Sequence, residues 1–260
     1  MHVITSLFVR LKTLALAFLF LLVIIWTGSN NKKIGLQDEY ALANMGNPYR
    51  GMGNDVSWPQ CERDVINNLP KSNFAILGVT GGSAFTKNPC LAEEYKWAIT
   101  TGSVSLYMNL NLFTEEDIDK GLKGPYGNCK TTDNLCIGAN YGYNGAKEAM
   151  GYAKEIGISE EKMWWLDIEE INTWSEDINV NRKIIDGAVS YFKEKGIPVG
   201  IYSTPIMWRD LTGNYQINLP AWPAIISEAP YENCGQGFTG GKTFIVQHNQ
   251  DELDKNFACL

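Results

Sequence analysis

Residues 163–174 read "MWWLDIEEINTW". Four apolar residues, Met163 to Leu166, run directly into three carboxylates, Asp167, Glu169 and Glu170. A short, near-continuous apolar run is what a strand buried on both faces looks like. Successive side chains of a strand alternate, so Asp167 and Glu169 point to one side and Leu166 and Ile168 to the other. Strand rise holds the two carboxylates about 6–7 Å apart. At that distance each raises the other's proton affinity, which suits a protonated acid beside an ionised partner. A solvated turn continued by Glu170 and Asn172 is the plainer alternative.

Similar runs lie on either side. "FAILGVT" (74–80), "SVSLYMN" (103–109), "PVGIYST" (198–204), "WPAIIS" (222–227) and "TFIVQ" (243–247) all read as buried strands. Helical patterns separate several of them. "NVNRKIIDGAVSYFKEKG" (179–196) puts Val180, Ile184, Ile185, Ala188, Val189 and Phe192 on one stripe and stops at Gly196 before Pro198. "NPCLAEEYKWAITTG" (88–102) and "GAKEAMGYAKEIG" (145–157) read as helices ending near glycine. Repeated strand–helix–strand units predict an α/β fold with a parallel sheet. One irregular TIM-like β/α barrel over residues 51–260, a single domain, fits the length. Residues 113–142, rich in Gly, Asn and Asp, read as a long loop stapled by Cys129 and Cys136. In such a barrel the site lies at the C-terminal ends of the strands, where Asp167 and Glu169 fall.

Before the barrel, "LALAFLFLLVIIW" (14–26) follows Arg10 and Lys12, the pattern of an export signal. Residues 1–28 are expected to be that signal or an uncleaved membrane anchor, and residues 29–50 a linker. A secreted or extracytoplasmic location follows, with the membrane met only through this segment. Six cysteines in an exported chain favour disulfides. Proximity in sequence suggests Cys61–Cys90, Cys129–Cys136 and Cys234–Cys259. No C-x-x-C pair is present, and a Ser-His-Asp or Cys-His enzyme would have to use His248. The net charge is −7; residues 1–33 hold four cations and no acid, so the remainder carries −11. Without a basic cluster beyond Lys32-Lys33, nucleic acid is excluded as a partner.

Two further acidic stretches flank the barrel. "GMGNDVSWPQC" (51–61) places Asp55 in a strand-like entry, and "QHNQDELDKNFA" (247–258) places Asp251 and Asp254 after the last apolar run. If first and last strands adjoin in a closed barrel, Asp55 and one of these acids converge beside Asp167 and Glu169.

With "GNDVSWPQ", "WWLDIE" and "LDKNFA", the chain resembles family 25 glycoside hydrolases, lysozyme-like muramidases with an irregular β/α barrel. Cys61 stands where that family usually carries glycine, and "DVSWPQC" with "NPCLAEEYKWA" is similar to an exported, cysteine-containing side branch. The resemblance implies a substrate, the glycan strand of peptidoglycan. It also implies roles: Glu169 as general acid/base, Asp167 assisting the substrate's own acetamido group, Asp55 and Asp254 shaping the pocket.

The residue chemistry agrees with those roles. Glycosidic cleavage needs a proton for the leaving oxygen and stabilisation of an oxocarbenium-like centre. Two carboxylates on one side of one strand suit substrate-assisted hydrolysis better than attack from opposite faces. Trp58, Tyr107, Tyr202 and Trp222 lie near strand ends and could stack on sugar rings or pack the core. No cofactor or metal is expected, and the chain is expected to be a monomer. The competing function is a glycan-binding barrel of the cell envelope without turnover.

Overall fold

The computed structural model describes residues 46–62, 68–159, 161–250 and 253–260. The export or anchor segment 1–28, linker residues 29–45 and Asp251 lie outside the described residues. Eight strands close a barrel: β1 (Met52–Val56), β2 (Phe74–Gly78), β3 (Val104–Asn109), β6 (Trp164–Asp167), β7 (Val199–Ser203), β8 (Ala221–Ile225), β9 (Ile245–Gln250) and β10 (Leu253–Ala258). Two short strands, β4 (Lys123–Gly124) and β5 (Gly127–Asn128), form a separate hairpin. Around the barrel run helices α1 (Trp58–Glu62), α2 (Leu91–Ala98), α3 (Asp119–Leu122), α4 (Asn134–Glu155), α5 (Ile178–Glu194) and α6 (Pro205–Thr212). Among the described residues no helix is long and apolar enough to cross a membrane.

Closure differs from the expected all-parallel sheet. The order is β1-β10-β9-β8-β7-β6-β3-β2, and β2 pairs β1. Six pairings are parallel, but β10 runs antiparallel to both β9 and β1. "LDKNFA" is therefore a strand, not a tail beyond the last one. It folds back on β9 as a hairpin and fills the gap that β9 and β1 leave.

The outward faces of the strands carry Leu77, Leu106, Leu166 and Ile201, which pack with α4 and α5 into the main core. The α5 stripe (Val180, Ile184, Ile185, Ala188, Val189 and Phe192) is buried as its spacing requires. Asp177 caps α5 and Thr204 caps α6, each accepting a bond from a backbone N–H of the first turn.

Expected as loop, residues 113–142 contain α3, the β4–β5 hairpin and the first turns of α4. Asp133 caps α4 by accepting from the Cys136 N–H at 3.1 Å, and Gly142 of α4 and Gly187 of α5 serve close contact, not turns. A Cβ on Gly142 would lie 1.8 Å from the Ile184 carbonyl oxygen, and one on Gly187 2.0 Å from that of Ala139. The two helices thus touch backbone to backbone.

Inside the barrel, aromatic rings face glycines across the strands. A Cβ on Gly200 would meet the Trp165 ring at 2.3 Å, and one on Gly78 the Tyr107 ring at 2.7 Å. The end opposite the strand C-termini is plugged by Tyr49, which is fully buried. Trp165 Nε1 donates to the Tyr49 hydroxyl at 2.8 Å, which donates to Ser105 Oγ at 2.7 Å. The compact unit accordingly begins at Gly46, inside the expected linker.

All three disulfides pair as sequence proximity suggests: Cys61–Cys90, Cys129–Cys136 and Cys234–Cys259. The last joins residues 25 apart and contributes roughly 3 kcal/mol in the chain-entropy model.

The helix contact yields a paired test. Gly142→Ala should destabilise by about 2–3 kcal/mol through overpacking against α5. Gly151→Ala, in the same helix with nothing within 4 Å of its would-be Cβ, should stabilise by about 0.5–1 kcal/mol. Denaturant unfolding of both variants measures the contrast.

Candidate functional site

Asp167 ends β6 and Glu169 follows two residues on, at the mouth formed by the strand C-termini. Cross-strand bonds hold this corner: Leu110 N–H donates to the Asp167 carbonyl at 3.1 Å and Ile168 N–H to the Tyr202 carbonyl at 3.0 Å. Ser203 Oγ donates to the Ile168 carbonyl at 2.7 Å. Past the strand, Trp174 Nε1 and Asn172 N–H both donate to the Glu169 carbonyl. Leu166 and Ile168 are buried in the core while Asp167 and Glu169 share the other side.

The two carboxyls sit at hydrogen-bond range of one another. Asp167 is buried, Glu169 half-buried and Glu170 exposed. Burial, then the Glu169 charge, lifts the Asp167 carboxyl well above the usual carboxylate range. Burial also lifts Glu169, with Asp254 adding repulsion. The hydrogen bond between them raises Asp167 and lowers Glu169, which favours one proton held between the two carboxyls.

Asp55, near the end of β1, is also buried. Gln247 Nε2 donates to both its oxygens at 3.1 Å, and Asn256 Nδ2 donates to Oδ2 at 2.6 Å. Gln247 Oε1 accepts from the Tyr202 hydroxyl at 2.8 Å, and Asn256 Oδ1 accepts from Trp222 Nε1 at 2.8 Å. Despite these donors, burial and then the Asp254 charge push the Asp55 carboxyl up to about 7. Asp254, on β10, is half-buried and is itself raised by burial. The four acids Asp55, Asp167, Glu169 and Asp254 thus act on one another at one mouth.

Tyr107 and Tyr202 are partly exposed at this mouth. Trp222 is only 2 % exposed and lies beneath them, its ring centroid 4.5 Å from that of Tyr202 and 6.4 Å from that of Tyr107. It supports the two tyrosines from below and offers no face for a sugar. Trp58 is partly buried at the start of α1, beside Gly82.

Three polar residues that hold the acids escaped the sequence reading: Asn109, Gln247 and Asn256. Asn109 Nδ2 donates to Asp167 Oδ2, and the two residues are direct partners across β3 and β6. Asn109 and Gln247 are polar residues that end otherwise apolar runs, and Asn256 lies in a half-polar stretch; what each one holds lies on another strand. Among the described residues no cluster of His, Cys, Asp and Glu is arranged to hold a metal ion.

A closed barrel with paired acids at its mouth is the frame in which known proteins are compared. The model of the family described as lysozyme-like protein 1 matches residues 134–232, which include Asp167 and Glu169. Lysozyme-like protein 5 of Caenorhabditis elegans is 39% identical over 70 residues, a match spanning 27% of this chain and 32% of that protein. The muramidase of Trichobolus zukalii superposes with a TM-score of 0.53 at 18% identity, over 80% of this chain and 93% of that one. The family 25 lysozyme of Aspergillus fumigatus gives 0.52 at 17% identity, over 81% and 94%. The modular Cpl-1 endolysin, solved with a peptidoglycan analogue, gives 0.51 at 14% identity over 81% and 54%. The chain has a family 25-like lysozyme fold.

Buried acids with raised proton affinity make stability depend on pH. Asp55 moves from 3.8 to about 7. Glu94 on α2, buried against Asn88, moves from 4.5 to about 7. Each binds more proton folded than unfolded across this interval, so its stabilisation is complete below about pH 4 and is lost by about pH 7. The melting temperature should fall between pH 5 and pH 7.5, and Glu94→Gln should flatten part of that slope in scanning calorimetry.

Proposed function

We propose that this protein is an exported glycoside hydrolase that cleaves N-acetylated glycan, with peptidoglycan as the polymer, by carboxylate acid/base catalysis. The observation that carries the reading is the Asp167–Glu169 pair, two carboxyls at hydrogen-bond range at the open end of a lysozyme-like barrel. Three disulfides support an extracytoplasmic location.

In this reading the substrate's acetamido N–H donates to Asp167. That bond stabilises the Asp167 carboxylate and moves the shared proton to Glu169. Glu169 gives the proton to the glycosidic oxygen as the bond to the anomeric carbon breaks. The acetamido carbonyl oxygen closes on that carbon, and Asp167 stabilises the cationic ring so formed. Glu169, now a carboxylate, takes a proton from water as the water opens the ring, which restores the resting pair. Tyr107 and Tyr202 line the approach, while Asp55 raises the proton affinity of Asp167 and Asp254 that of Glu169.

The test is reducing-end release from purified peptidoglycan. Glu169→Gln should lower turnover by about 10²–10⁴-fold while glycan binding persists, because the amide keeps the shape and loses the proton. The wild-type rate should fall on the alkaline side as Glu169 loses its proton, at a pH above the usual carboxylate range. Wild type and Glu169→Gln equally inert, yet both retained on peptidoglycan, would replace hydrolysis with binding alone.

A further inference from the structure

Asp167 has two oxygens with different surroundings. Oδ2 accepts from Asn109 Nδ2. Oδ1 is buried and receives no amide or alcohol donor from the protein; the Glu169 carboxyl is the group at hydrogen-bond range of Asp167. The Asn109 amide is held with its carbonyl end on Thr80. Thr80 Oγ1 donates to Asn109 Oδ1 at 2.7 Å, and the Asn109 backbone N–H donates back to Thr80 Oγ1 at 2.9 Å. Thr80 is 2 % exposed and Asn109 8 %, so water competes little for either bond. Strand pairing fixes the arrangement, because Asn109 and Asp167 are in register.

We propose that Asn109, oriented by Thr80, is a positioning residue that fills Asp167 Oδ2 and leaves Oδ1 as the acceptor for a substrate amide N–H. The proposal rests on the hydrolytic reading of the Asp167–Glu169 pair, and it adds how the pair is set. With the shared proton moved to Glu169, an Asp167 carboxylate would leave this buried oxygen without a donor, which is costly. The chemistry that relieves it is an N–H donor arriving from the mouth, which the acetamido group of an N-acetylhexosamine supplies and an unacetylated hexose does not.

The bond from Asn109 also biases the proton. The groups that act on Asp167 are Glu169 and Asp55 on β1; Tyr107 on β3 and Tyr202 on β7 also face it and are themselves raised by its charge. All are acids, and each negative charge among them disfavours ionised Asp167. The Asn109 N–H opposes them, since a donor stabilises the carboxylate form. When the substrate N–H reaches Oδ1, the two donors together hold Asp167 ionised. The one proton then belongs to Glu169, where cleavage needs it.

Two substitutions separate positioning from mere support. Thr80→Val keeps the shape and removes the hydroxyl, releasing the Asn109 amide; Thr80→Ser restores the hydroxyl. Asn109→Asp keeps the shape and replaces the donor by an acid. On soluble N-acetylated oligosaccharides, Thr80→Val should lower kcat about tenfold with KM nearly unchanged, and the acidic limb of the pH profile should move up by about one unit. Thr80→Ser should match the wild type. Asn109→Asp should shift the acidic limb further in the same direction. A fall in kcat with an unmoved pH profile in folded variants would overturn the proposal, as would a loss confined to KM.

Titration of the side-chain carboxyl carbons by nuclear magnetic resonance reads the same bias without turnover. Asp167 should hold its proton to higher pH in Thr80→Val and Asn109→Asp than in the wild type. Inert wild-type protein would refute hydrolysis alone. An Asp167 titration unchanged by both substitutions would refute the role of Asn109 whatever the activity.

Discussion

The buried carboxylate of Asp55 is the constraint on which the rest of the barrel is built. A charge taken out of water must be paired or hydrogen-bonded, and here the donors are two amides, Gln247 and Asn256. They come from β9 and β10, the strands that complete the barrel next to β1. One carboxylate therefore ties the first strand to the last two. The amides are held in turn from behind, by the Tyr202 hydroxyl and the Trp222 indole. Tyr202 and Trp222 belong to β7 and β8, so the network reaches half-way round the barrel. Loss of any member leaves another buried polar group unmet.

Acidity at the mouth is maintained against the ordinary preference of carboxylates for solvent. Strand geometry places Asp167 and Glu169 on one side and burial raises both. Asp254 adds a like charge that weakens the hold of its neighbours on a negative form. The consequence is a cluster that stores protons near neutrality, where isolated carboxylates would be ionised. That property costs stability as the pH rises and is what acid catalysis by a carboxyl group requires.

Much of this was legible in the chain itself. Asp167 and Glu169 stood out because a two-residue spacing after an apolar run has one geometric meaning, and the α5 stripe because its spacing has another. The disulfides followed proximity. Asn109, Gln247 and Asn256 were opaque because their function lies in partners across strands, which spacing along one strand does not encode. The glycines of α4 looked like loop residues because a glycine's use as a contact surface depends on a second helix 40 residues away. Trp222 resembled a sugar platform because alternation separates inside from outside but does not say how deep a residue lies. The antiparallel turn of β10 was hidden for a related reason: a half-polar strand of six residues carries no apolar run.

The aromatic filling of the barrel has a consequence for access. Tyr49, Phe74, Trp165 and Trp222 occupy the interior below the acids, so the barrel is a cup with a solid base and one opening. Whatever enters must leave the way it came. A long polymer can be laid across the rim and have one linkage dip towards the acids, but it cannot be drawn through.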